Sequence, residues 1–419
     1  MTFRSTLTPA AVALGLAFGL GACDAADNFT GDVDGFIDRV DTDSLDQQRA
    51  VGFLAIGVEE AFNDAYDASA VLADLLSDAF LFDQDVNGAT FPTFDEVDDA
   101  DILTSNNSVD GVYNAINQTR YLADDLLRRA ETTIEFTADA DGDEARRLAN
   151  YTGNLFGGIA RYFLASYFAL DPNANAGAPI SSDPENLSPL IPAAQLYQQS
   201  IDRYTAAKAF TANDYQTRLL NTLIARNYLY LGNLAQAESF AAQGLVAGDA
   251  PFTGDYNASS TNNWYSQGGI GRTQVVAADR FQAYEDEGDT RVAVEPAPPV
   301  AGATRFFVRQ AVITDPGQSL TFASWQENAL IRAEAAGAGS SAGLGFINAV
   351  RTDAGLDALA SANQSTLIEE RDRTLFLQGQ RLMDMRRFGL PFVNADGAVP
   401  GPWRYLPIPQ NERNANPNF

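Results

Sequence analysis

The chain predicts a mainly α fold: tetratricopeptide-like helix pairs, interrupted by an irregular, loop-rich excursion with a few short strands. Three observations predict it. Apolar residues recur at helical spacing through 47–246 and again through 320–390. Between Tyr215 and Val246, Leu231-Gly232-Asn233 is followed by Ala237 and Ala241. That order matches a two-helix repeat of about 34 residues, with small side chains where the helices approach. The stretch 247–316 differs: it clusters Gly, Asn, Ser and Thr and is too long for one plain connection.

Taken in order, Met1 to Ala22 reads as a lipoprotein signal peptide. Arg4 supplies the positive end, and the apolar run from Leu7 to Leu20 is too short to span a bilayer. Leu20-Gly21-Ala22-Cys23 has the form of a lipobox, in which the cysteine is acylated. Cys23 is the sole cysteine, so it has no bridging partner in the chain. Residues 23–46 read as an acidic tether and 47–419 as a single domain. Gln47 to about Leu81 predicts a long helix or two. Phe80 to Asp101 reads as a loop rich in Phe and Asp, and Val109–Glu131, Glu144–Leu170 and Pro192–Ala209 as helices. Asp139 to Glu144 has the look of a calcium loop but lacks the required Gly and Glu, so an acidic turn is expected. Within the excursion, Gln274–Ala277 and Arg305–Ile313 are β-like. A second helix pair is expected from Phe322 to Arg351.

Thr366 to Leu390 predicts one continuous helix. Thr366 and Glu369 have capping-box spacing, and Gly389 and Pro391 mark the end. Ile368, Leu375, Leu382 and Met383 form an apolar stripe with Arg371 and Arg386 on or beside it, and Arg373 is expected off it. ERDRTLFLQGQRLMDMRRFG, Glu370 to Gly389, resembles the C-terminal signature of the SusD/RagB-like family. LIRAEAAG at Leu330–Gly337, FINAVRTDAGL at Phe346–Leu356 and RYLPIPQNERNANPNF at Arg404–Phe419 resemble that family's other motifs in the same order. The resemblance implies a superhelical scaffold of several such pairs.

Composition narrows the chemistry. There is no histidine, the commonest general base and metal ligand. With a single cysteine as well, no zinc or thiol site is expected, nor any cofactor. Carboxylates are numerous, but no pair stands out as catalytic, so binding is expected and catalysis is not. The net charge of −28, with Lys208 the sole lysine, disfavours nucleic acid and anionic lipid as partners. Aromatics on polar loops suit sugar rings, with amides and carboxylates for the hydroxyls. Trp264 and Tyr265, beside Asn263, are the first candidates, followed by Phe82 and Phe91 with Phe94 in the 81–94 loop. Asp78, in Leu76-Ser77-Asp78, resembles a family position near the ligand face. Trp325 and Trp403 are assigned to the core. The resemblance further implies a surface-exposed, lipid-anchored outer-membrane protein. Such a protein would bind glycans or peptides and deliver them to a TonB-dependent transporter. The competing reading is a helical-repeat envelope scaffold lipoprotein without a small ligand.

Overall fold

A computed structural model describes residues 42–181, 187–393 and 401–419. The signal segment, Cys23 and most of the tether lie outside the described residues. The helices are α1 (Thr42–Leu45), α2 (Val51–Leu75), α3 (Pro92–Asp98), α4 (Asn107–Thr132), α5 (Ala140–Tyr167), α6 (Ala193–Ala207), α7 (Asp214–Tyr230) and α8 (Leu234–Ala241). After these come α9 (Asn263–Ser266), α10 (Arg280–Asp286), α11 (Trp325–Ala336), α12 (Ser341–Asp353), α13 (Gln364–Thr374), α14 (Arg381–Phe388) and α15 (Gln410–Ala415).

Successive helices pack as neighbours from α4 to α8, and α11 then packs on α8, α12 and α13. No single pair can bury its apolar face alone, so the stack makes the core. In the α7–α8 pair, Gly232 turns the chain at φ 74° and Asn233 caps α8 by accepting from the Gln236 amide. Ala237 and Ala241 then close on Ala225 and Leu229, as their small size predicts. Asp139 to Glu144 is the cap and first turn of α5: the Asp139 carboxylate accepts from Gly142 N at 2.9 Å. Among the described residues no cluster of carboxylates could hold a metal.

The excursion is ordered by pairing at both of its ends. β5 (Phe252–Gly254) pairs antiparallel with β9 (Leu320–Ala323) and closes its neck. Further in, β6 (Val276–Ala277), β7 (Val294–Pro296) and β8 (Val308–Gln310) join β1 (Phe80–Leu81) in a sheet of order β1-β6-β8-β7. Both β-like runs thus become strands, and the loop after α2 turns out to hold a strand and the helix α3. The PIP ending forms β10 (Leu406–Pro407), parallel to β2 (Phe168–Asp171). Beyond β2 lie β3 (Ala174–Ala178) and β4 (Ile191–Pro192).

The expected single helix over 366–390 is two. Its first half is capped by Asn363 with Thr366, not by Thr366 with Glu369. The break spans Leu375–Gln380, where Leu377 and Gly379 take φ of 68° and 69°. A straight helix would separate residues 371 and 384 by about 20 Å, yet Arg371 Nε and Asp384 Oδ2 lie 2.7 Å apart. Three contacts from distant chain hold the turn. Trp264 Nε1 donates to Leu377 O at 2.8 Å. Gly379 N donates to Asp74 Oδ2 at 3.1 Å, and the Gly379 backbone lies so close to Ala70 that a Cβ would come within 2.7 Å of its Cα. The arginines are also redistributed. Arg373 is buried with Asp289, Glu287 and Glu369, whereas Arg386 bonds the carbonyls of Ser166 and Arg404 and no described carboxylate.

Candidate functional site

Four segments meet in a groove of about 220 Å³. Its floor is Ala68, Val71 and Leu72 of α2. One wall is the start of α4 at Asn107, Ser108 and Gly111; another is Phe91 and Phe94; the last is Asn263 and Gln267. α4 is placed by Asn106, whose side chain accepts from the Ser108 and Val109 amides and donates to Thr93 O. The two Phe rings meet edge to face at 5.7 Å. Arg272 lies over Phe91 at 4.4 Å, a cation–π contact that fixes the ring from outside. Gln274 Oε1 accepts from Thr90 N and Phe91 N, joining the two loops.

Asn263 is held by Asp67. The carboxylate accepts from Asn263 N at 2.6 Å and from Nδ2 at 2.9 Å. Burial pushes the Asp67 carboxyl up to about 7, against the lowering effect of those two hydrogen bonds. With one Nδ2 proton committed, Oδ1 and the second Nδ2 proton of Asn263 are left for a ligand. Gln267 Oε1 is buried without a partner among the described residues. The groove thus combines an apolar floor, an aromatic edge and unspent amide oxygens, with no charged side chain on its walls. That arrangement can hold an uncharged polyhydroxylated ring.

Of the residues singled out in the sequence, Asn263, Phe91 and Phe94 line this groove and the others do not. Trp264 is fully buried, its ring 4.7 Å from Phe80. Its indole N–H is spent on Leu377, so it is a core residue and offers no face to a ligand. Tyr265 is half-buried beneath the turn at Gly271, where a Cβ would lie 2.5 Å from its ring. Phe82 is buried at 7% exposure. Asp78 pairs with Arg381 at 2.6 Å and Arg280 at 3.1 Å, in a polar cleft with Asp372 that shares no residue with the groove. Trp403 is buried as expected, but Trp325 is half-buried and lines a different cavity. Gln267, Asn107 and Ser108 escaped the sequence reading. Asn107 and Ser108 had one signal, the Asn106 cap at the start of α4, and Gln267 had none.

No family model and no curated protein sequence matches the chain. Solved structures do. A SusD superfamily protein from Bacteroides vulgatus superposes with a TM-score of 0.70 at 18% identity, covering 88% of this chain and 97% of that one. The chain has the SusD-superfamily fold. Two other matches are named for glycans. A laminarin-binding SusD-like protein has a TM-score of 0.69 at 14% identity, covering 88% of this chain and 99% of its own. Surface glycan-binding protein A from Bacteroides thetaiotaomicron, solved with laminarihexaose, has a TM-score of 0.66 at 13% identity, covering 89% and 98%. Of the four ordered motifs, three lie on α11, α12 and α13–α14, and the fourth forms β10 and α15.

Proposed function

We propose that this protein binds neutral oligosaccharides in the Phe91–Asn263 groove, as a lipid-anchored protein on the outer face of the outer membrane. It then passes them to a TonB-dependent transporter. The observation that carries the binding step is the wall chemistry: a chain of net charge −28 has lined one groove with apolar, aromatic, amide and hydroxyl groups and no charge. Burying a charged peptide terminus there would leave it unpaired, at a cost of several kcal/mol. A sugar ring presents an apolar face and hydroxyls, which those groups satisfy. The glycans named for two proteins of the same fold support this reading. Anchoring and delivery rest on the lipobox at Cys23 and on the motif resemblance.

The test is calorimetric titration with neutral oligosaccharides, starting from laminarihexaose. Phe91→Ala and Asn263→Ala should each weaken binding by about 1–3 kcal/mol with the circular dichroism spectrum unchanged, and prolonged incubation should leave the sugar intact. Tighter binding of peptides than of every glycan tried would replace the ligand. Wild-type affinity in both variants would remove the groove, and release of product would make the protein an enzyme. Isolation of a barrel transporter with the protein from mildly solubilised membranes tests the partner.

A further inference from the structure

We infer that the protein carries a second saccharide site, separate from the groove: a cavity of about 340 Å³ beside Trp325 that takes one neutral sugar ring. The cavity is framed by β9, the start of α11, the α13–α14 break, and Val312 and Gln318 at the end of the excursion and just beyond it. It shares no lining residue with the groove. The two are linked through the core alone: Leu377 on its wall accepts the indole of Trp264, the neighbour of Asn263.

The charges on its wall are already spent. Arg291 bonds Asp289 through Nε and Nη2, and Glu370 and Thr374 Oγ1 through Nη1. Asp249 accepts from Arg218 through both carboxylate oxygens. Two neutral groups are not spent. Gln378 is 7% exposed and donates Nε2 to Thr374 O at 3.0 Å, while its Oε1 has no partner among the described residues. Gln378 lines the cavity, so this unpaired acceptor is best met by a donor from that side. Trp325 is half-buried, and its indole N–H has no partner among the described residues. An aromatic face, a free N–H donor and a buried amide acceptor, with balanced charge around them, select a hydroxyl-bearing uncharged ring. A carboxylate or an ammonium group would find no counter-ion there.

The experiment uses the whole protein labelled with 5-fluorotryptophan. Its three tryptophans give three fluorine resonances, assigned through Trp→Phe variants. Neutral gluco-, manno-, galacto- and xylo-oligosaccharides are titrated in. The Trp325 resonance should shift saturably with at least one of them, while Trp403 stays still. Gln378→Leu, which keeps the side-chain bulk, should weaken the Trp325 response about tenfold, the loss of one hydrogen bond. Phe91→Ala should leave it unchanged. The site is overturned if no sugar moves Trp325, if Gln378→Leu has no effect, or if only peptides act. It is equally overturned if Phe91→Ala abolishes the response, because the two cavities would then be one site. Loss of groove binding alone, with the Trp325 response intact, removes the groove reading and leaves this one standing.

Discussion

Arg226 and Glu327 are both almost wholly buried, and the guanidinium holds the carboxylate through two bonds of 2.6 and 2.5 Å. Deleting one member strands the other. Arg226→Ala should therefore lower the unfolding free energy by about 3–5 kcal/mol. Arg373→Ala should cost less, because Asp289 keeps Arg291. Arg386→Ala leaves no described carboxylate stranded and should also fall below Arg226→Ala. Denaturant midpoints for the three variants check this order, and equal midpoints for Arg226→Ala and Arg386→Ala would refute it. Helical spacing alone places Arg373 outside the core. What it cannot register is that α10 and the following loop bring Glu287 and Asp289 over that face. Asp74 offers a pH test. Burial raises its carboxyl to about 8, opposed by the bond from Gly379. An unfolded aspartate titrates near about 3.9, so the folded state holds the extra proton between those values. Its stabilisation is present in acid and is lost as pH rises through about 8. Asp74→Asn abolishes that titration. Relative to the wild type, the variant should gain stability between pH 5 and pH 9 in parallel urea melts; a constant difference would show that Asp74 does not titrate in this way.

At the scale of elements, the decisive feature is the broken α13–α14 segment. Gly379 combines a left-handed backbone with a packed neighbour, whereas Gly389 is left-handed with open space around it. Gly389→Ala should thus cost only the backbone term, about 1–2 kcal/mol. Gly379→Ala adds about 1–3 kcal/mol of overpacking against Ala70. Equal thermal shifts for the two would refute the close approach. Gly379 was the one local sign of the break; stripe, charges and C-terminal stop all run through it without interruption. The deciding partners, Ala70, Asp74 and Trp264, lie more than a hundred residues away in sequence.

For the whole molecule, the proposed function places membrane attachment at Cys23, and no described helix is long and apolar enough to cross a membrane. Cys23→Ser should move the protein from the membrane pellet to the soluble fraction. Retention in the pellet after a high-salt wash would refute the lipid anchor. Patterns that repeat within a turn or two of chain were enough to determine most of the long helices, the α7–α8 pair and two of the excursion's strands, β6 and β8. Capping, spacing and side-chain size act there between near neighbours. Only the tertiary structure decided that Trp264 is core, that Asp78 is an ion-pair partner and that Phe91 and Asn263 line one groove with Gln267. Whether a side chain in an irregular segment faces solvent depends on which distant segment covers it, and short-range periodicity carries no record of that.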